Sequence, residues 1–224
     1  MNAKKLAAEK AVTYVKDGMT VGLGTGTTAL FAIEALGKMV KDGLSVKAVA
    51  SSIRSEVLAK NAGIQLISFS EVKKIDLYID GADEADGDWN LIKGGGGALL
   101  REKLLAFNSE EFIVIVDQSK LVEQLGAFPL AVEIVPFAFE LTLKHLENSG
   151  CTPVIRMANG AHYITDNGNL IADCAFNKIS DVDQLNLWIN CIPGVVENGL
   201  FPQSLVAQII VGYDNGEVNL VERK

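Results

Sequence analysis

The chain has 224 residues, a formal net charge of −8 and a hydrophobic fraction of 49%. At roughly 100–200 residues per domain, this length fits one large domain or a domain with a smaller companion. The apolar content excludes a disordered chain, and the acidic balance argues against a phosphate polymer or an anionic membrane as partner.

The first half alternates. Residues 3–16 carry Leu6, Ala7, Tyr14 and Val15 at helical spacing. Thr20–Leu23 is a short apolar run ending in glycines, and residues 28–41 are helical again. Val46–Ala50 reads as a strand, 52–61 as a helix, and Ile64–Ile67 and Ile75–Ile79 as strands. Residues 97–107 look helical and Phe112–Val116 is β-rich. Strands that alternate with helices and are apolar on both faces predict an α/β fold, a mostly parallel sheet covered by helices.

Composition shifts near residue 128, and all five prolines lie beyond it. The pattern there is β (131–135), α (138–148), β (152–156), β (161–165), β (169–173), α (180–190), β (194–198). That is α+β around an antiparallel sheet. Asp166-Asn167-Gly168-Asn169 is a hairpin turn, because Asn-Gly accepts positive φ. Two β-rich runs, 205–211 and 217–221, close the chain. The tail is expected to rejoin the first domain. Residues 129–200 then form an inserted small domain, and 1–128 with 201–224 form the main one.

Several classes find no material. No apolar run approaches the ~18–20 residues of a transmembrane helix, and the N-terminus lacks a signal-peptide core. The three cysteines, Cys151, Cys174 and Cys191, are odd in number and far apart, which fits a reducing cytoplasm. Two histidines and no Cys-x-x-Cys leave little for zinc.

Three segments at strand ends carry candidate chemistry. Gly22-Leu23-Gly24-Thr25-Gly26-Thr27-Thr28 joins a strand to a helix. Glycines admit a close ligand, and the helix N-terminus presents N–H groups to an anion. A dinucleotide fingerprint fails, since Thr27 holds the third glycine position and Ala50-Ser51-Ser52 ends the next strand without an acid. A P-loop fails for want of a lysine. The reading is a small phosphate monoester; the alternative is a tight turn with a helix cap.

The second segment is Asp76 to Asp86, where an apolar strand runs into Asp80-Gly81-Ala82-Asp83-Glu84. Its spacing does not match a calcium loop, so the choice lies between a ligand-binding acid pair and a solvated acidic loop. Crowded carboxylates repel, which suits proton transfer. The third segment is Lys93-Gly94-Gly95-Gly96-Gly97 with Glu102 about one turn into the following helix. Periodicity alone favours a solvated, paired Glu102. Lys120 stands at a further strand end. If these segments converge at one sheet edge, a phosphate cradle, an acid pair, a lysine and a carboxylate base come together. That set suits proton abstraction α to a carbonyl, with a cation stabilising the enediolate oxygen.

These motifs, in this order, resemble ribose-5-phosphate isomerase A. Gly22-Leu23-Gly24-Thr25-Gly26-Thr27-Thr28-Ala29, Asp80-Gly81-Ala82-Asp83-Glu84, Lys93-Gly94-Gly95-Gly96-Gly97-Ala98-Leu99 and Arg101-Glu102-Lys103 carry the likeness. So do Thr165-Asp166-Asn167-Gly168-Asn169 and Ile192 to Phe201. The resemblance implies a Rossmann-like domain with helices on both faces of its sheet, plus a smaller α+β domain. It implies interconversion of D-ribose 5-phosphate and D-ribulose 5-phosphate without cofactor or metal, in a homodimer or homotetramer. It assigns proton transfer to Glu102, sugar holding and ring opening to Asp80 and Asp83, and charge stabilisation to Lys93. Thr25, Gly26, Thr27 and Thr28 match the phosphate and sugar loop. Gly81, Ala82, Gly94, Gly95, Gly96 and Lys120 match further substrate contacts, and Lys4 a lysine near the phosphate.

The chain departs from the pattern at Ala50-Ser51-Ser52-Ile53-Arg54-Ser55, where threonines are frequent, and at Leu100, where many members have threonine. The rival reading is a sugar-phosphate sensor domain of related fold, which would bind without turnover.

Overall fold

The computed structural model describes residues 2–221. In chain order the first elements are α1 (Ala3–Val12), β1 (Thr20–Leu23), α2 (Thr27–Lys41), β2 (Lys47–Ala50), α3 (Ile53–Ala62), β3 (Gln65–Leu66) and β4 (Ile75–Asp80). Then come β5 (Glu84–Ala85), β6 (Leu91–Ile92), α4 (Leu99–Phe107), β7 (Ser109–Asp117), β8 (Leu130–Ile134), α5 (Phe139–Glu147) and β9 (Thr152–Ile155). The last are β10 (Met157–Ala158), β11 (Ala161–His162), β12 (Leu170–Ala175), α6 (Val182–Asn190), β13 (Val195–Asn198), β14 (Leu200–Phe201), β15 (Gln208–Gly212) and β16 (Val218–Leu220). Among the described residues no helix is long and apolar enough to cross a membrane.

The chain divides into two compact units. The first runs to Ala82 and takes in Arg101–Leu121 and the chain from Ser204 onward; the second comprises Asp83–Leu100 and Val122–Gln203. The first unit holds a seven-stranded sheet in the order β16-β15-β7-β4-β1-β2-β3. All its pairings are parallel except β15 with β16. This is the Rossmann-like order, reversing direction between β1 and β4. Val21, Leu23, Leu77, Ile79, Ile113 and Ile115 from the central strands pack with Ala7, Ala11, Ile33, Leu36 and Ala59 from α1, α2 and α3. Small alanines on α1 allow a close approach to the sheet.

Local chemistry sets the helix ends. The Asn2 side chain caps α1 and the Ser52 hydroxyl caps α3, which stops at Gly63 with φ +83°. Helical spacing predicts α1 to residue 16, yet it ends at Val12. The Thr13 hydroxyl donates to the Lys10 carbonyl at 2.7 Å, and the following N–H groups bond three residues back, tightening the chain into a turn. Helix α4 begins at Leu99 rather than 97, because Gly97 sits in the left-handed region at φ +80°.

The second unit holds an antiparallel sheet, β13-β8-β12-β9, whose Leu130, Val132, Ala172 and Cys174 pack with Leu146 of α5 and Ile189 of α6. The strand expected at 161–165 shortens to β11, hairpinned with β10. Thr165 is already engaged in the turn that follows, donating its N–H to the Asn169 carbonyl at 2.9 Å. A further three-stranded sheet, β14-β6-β5, consists of two-residue strands. Its pairings tie residues 84–92 to 200–201, so this stretch joins the second unit rather than the domain ending at 128 that composition suggests.

Candidate active site

Loops at the carboxyl ends of parallel strands, where strand order reverses, are the favoured ligand positions of open α/β sheets. In the first unit those ends are Leu23 of β1 and Asp80 of β4. Asp80 is fully buried. Its Oδ1 accepts from the Thr25 N–H at 3.1 Å and the Gly81 N–H at 2.7 Å, and its Oδ2 from the Tyr78 hydroxyl at 2.5 Å. Gly24 makes room for this carboxylate: a Cβ there would lie 2.0 Å from Asp80 Oδ1. The glycine is required by space, not by backbone angle.

Gly26, at φ +102°, opens α2, and no side chain caps that helix. The backbone donors of Thr27 and Thr28 therefore lie in a first turn that suits an anion. Lys4 arrives from α1: its Nζ lies 3.4 Å from Thr27 Oγ1 and 3.9 Å from Asp117. Thr25 faces elsewhere. Its hydroxyl bonds Ser51 Oγ at 2.7 Å and Ser52 Oγ at 2.8 Å, and Ser55 Oγ donates to the Gly24 carbonyl at 2.7 Å. Ser51 and Ser52, bonded to Thr25, and Ser55, bonded to the Gly24 carbonyl, thus buttress the 24–28 loop.

Glu102 lies in the first turn of α4 and is only 3% exposed. Burial, then the nearby charges of Asp80 and Glu102, push the Tyr78 phenol well above its ordinary pKa, keeping it a donor. Tyr78, Asp80 and Glu102 therefore form one electrostatic group in the first unit. Tyr78 stacks on Phe112 at 4.7 Å between ring centroids. Lys120 ends a short 3-10 turn, Gln118–Lys120, just beyond β7.

The second unit carries Asp83, Lys93 and the glycine loop. Asp83 is half-buried, and its Oδ2 accepts from the Gly95 N–H at 2.8 Å. A Cβ at Gly95 would lie 2.7 Å from Asp83 Oδ1. Lys93 is 3% exposed, with its ammonium 5.4 Å from the Phe201 ring centroid. The Lys93 N–H donates to the Gly199 carbonyl at 2.9 Å, and a Cβ at Gly199 would lie 2.2 Å from the Lys93 carbonyl. The Asn198-Gly199-Leu200-Phe201 segment is thereby the support of Lys93.

The predicted site residues thus fall into two groups. Thr25, Gly26, Thr27, Thr28, Asp80, Gly81, Ala82, Glu102, Lys120 and Lys4 belong to the first unit, and Asp83, Lys93, Gly94, Gly95 and Gly96 to the second. Sequence reasoning missed Tyr78, whose role depends on its hydroxyl reaching Asp80 two residues on along the same strand. Glu84, the third acid of the motif and assigned no role, is buried and accepts from the Gly126 N–H at 2.7 Å and the Phe128 N–H at 2.6 Å. That is a structural anchor. Among the described residues no group of three or more His, Cys, Asp or Glu is placed to hold a metal ion.

Comparison with known proteins identifies the family. The family model for ribose 5-phosphate isomerase A (phosphoriboisomerase A) matches residues 47–216. The ribose-5-phosphate isomerase A of Bacillus mycoides is 51% identical over 217 residues, covering 96% of this chain and 98% of that protein. That of Oceanobacillus iheyensis is 47% identical over 213 residues, covering 95% of each. Among solved structures, ribose 5-phosphate isomerase A from Methanocaldococcus jannaschii superposes with a TM-score of 0.92 at 42% identity, covering 99% and 98% of the two chains. A D-ribose-5-phosphate isomerase in complex with phospho-erythronic acid superposes with a TM-score of 0.94 at 38% identity over the whole of both chains. A family match over most of the chain, with relatives near half identical along nearly its full length, leaves one conclusion: the chain belongs to the ribose 5-phosphate isomerase A family.

Proposed function

We propose that this chain interconverts D-ribose 5-phosphate and D-ribulose 5-phosphate by proton transfer through a cis-enediolate. The observation that carries the reading is Glu102, a carboxylate 3% exposed at the start of α4 and within electrostatic reach of the Tyr78–Asp80 pair. A base sheltered from water can take a carbon-bound proton and return it to the neighbouring carbon without exchange.

In this scheme the phosphate sits at the uncapped first turn of α2, beside Lys4, and Lys120 adds a further contact. Asp80 and Asp83 hold the sugar hydroxyls and assist opening of the furanose. Glu102 removes the C2 proton of the open aldose, and the electron pair moves to the carbonyl oxygen. Lys93 stabilises the resulting oxyanion. A proton passes from the C2 hydroxyl to O1 across the cis-enediolate, and Glu102 returns the abstracted proton to C1 as the C2 carbonyl forms, giving the ketose. The relative solved with phospho-erythronic acid supports this reading, because that ligand pairs a phosphate with a carboxylate shaped like an enediolate's two oxygens. The reaction belongs to the non-oxidative branch of the pentose phosphate pathway. We place the enzyme in the cytoplasm as a homodimer or homotetramer, with no cofactor.

Glu102→Gln tests the scheme. It keeps size and hydrogen bonding but cannot accept the proton. Turnover should fall by about 10²–10⁴-fold, the range of a general base, while phospho-erythronic acid binding by calorimetry stays near wild type. Full activity in this variant would sink the assignment.

A further inference from the structure

The Gly94–Gly95 peptide is held from both sides. Its N–H, on Gly95, donates to Asp83 Oδ2 at 2.8 Å. Its C=O, on Gly94, accepts from Arg156 Nη1 at 2.9 Å, and the same nitrogen lies 3.2 Å from the Gly95 carbonyl. The N–H and C=O of one planar peptide point in opposite directions, so fixing the carbonyl aims the N–H. Between two glycines no Cβ restrains that plane. The Gly97 N–H, donating to the Gly94 carbonyl at 3.0 Å, shares that acceptor with Arg156, the side chain that reaches it.

Arg156 is itself held firmly. Its Nε donates to Asp173 Oδ2 at 2.9 Å and its Nη2 to Asp173 Oδ1 at 2.5 Å, a two-point fork. Both side chains are largely shielded, at 15% and 28% exposed. The guanidinium carbon lies 5.8 Å from the Tyr163 ring centroid, and Tyr163 closes on the loop's far end, where a Cβ at Gly97 would lie 2.3 Å from its hydroxyl. Arg156 directly follows β9, and its N–H donates to the Ile171 carbonyl of β12 at 2.8 Å, two residues before Asp173, which itself pairs with Val154. All of these residues belong to the second unit.

We infer that Arg156, clamped by Asp173, is a positioning residue that sets the Gly94–Gly95 peptide and through it the Asp83 carboxylate. This rests on the proposed role of Asp83 in holding and opening the sugar. Lysine cannot replace it: one ammonium cannot fork onto Asp173 and still reach two carbonyls.

The test is a double-mutant cycle on the full chain, read as kcat/KM for ribose 5-phosphate with Tm measured alongside. Arg156→Met should lower kcat/KM about 10- to 100-fold, the scale of a misplaced polar group. In an Asp83→Asn background the same change should cost less than about threefold, because its effect is already spent. Arg156→Lys, which keeps the charge and is the more conservative for folding, should show the same non-additivity at a smaller loss. Additive losses with Asp83→Asn impaired would overturn the clamp alone, since a merely structural arginine acts in any background. Unchanged kinetics in both Arg156 variants would overturn it too. Full activity of Asp83→Asn would overturn the clamp and the reading of Asp83 together.

Discussion

A methyl group at position 24 has nowhere to go. Its carbon would sit 2.0 Å from Asp80 Oδ1 and 2.1 Å from the carboxyl carbon, and Asp80 is fully buried. Gly24→Ala must therefore displace the carboxylate or the 24–28 loop by more than an ångström. A shift of that size costs about 100-fold in kcat/KM, so we expect at least that loss with far-UV circular dichroism unchanged. Activity within threefold of wild type would show that Asp80 is not held for catalysis. Gly24 was legible in the sequence, as a glycine between a strand and a helix. Composition and spacing alone do not separate the neighbouring acids, which only the family resemblance told apart. Asp83 and Glu84 are adjacent and both acidic, yet one bonds the glycine loop and the other anchors the backbone at 126 and 128. Register, which sends successive side chains to opposite faces, is the physical distinction between them. Ser51, Ser52 and Ser55 were likewise readable as hydroxyls but not as a brace for Thr25, because their partner lies 26 to 30 residues away.

Long periodic elements were readable and short ones were not. Helices α2, α5 and α6 and strands β1, β4 and β7 follow apolar spacing or continuous apolar runs. Strands β5, β6 and β14 have two residues each, too few for any period, and exist because of pairing partners over 100 residues apart in the case of β6 and β14. Element pairing also has an electrostatic component. Asp76, near the start of β4, accepts from the Thr20 N–H of β1 at 2.7 Å and lies 2.9 Å from Lys74. Burial alone would raise this carboxyl, but the Thr20 N–H and the Lys74 ammonium outweigh it and hold its pKa below the ordinary value. A depressed carboxyl contributes stability that is present above its unfolded pKa, about 3.9, and lost as pH falls through the folded value. Asp76→Asn should therefore destabilise the protein by roughly 0.5–1.5 kcal/mol at pH 7. The gap between variant and wild type should shrink as pH falls below about 4. Urea midpoints at pH 7 and pH 3 measure this; a gap of equal size at both would rule out the charge as its source.

At the scale of the whole molecule the net charge of −8 opposes a doubly anionic sugar phosphate, while the proposed function draws on Lys4 and Lys120 of the first unit and Lys93 of the second. The two effects differ in range. The Debye length is about 30 Å at 0.01 M salt and about 8 Å at 0.15 M, so added salt first screens the distant acids. A phosphate at the α2 N-terminus would instead meet Lys4 and backbone N–H groups at contact distance, where screening is weak. The bulk charge therefore acts on approach and the local groups on binding. Raising chloride from about 10 mM to about 150 mM should leave kcat/KM within roughly threefold or raise it, in contrast to a basic protein that draws its anion by long-range attraction. Stopped-flow or initial-rate measurements across that range decide the point. A tenfold fall would mean that positive potential extends well beyond the site, and that the acidic surface leaves the substrate's approach untouched.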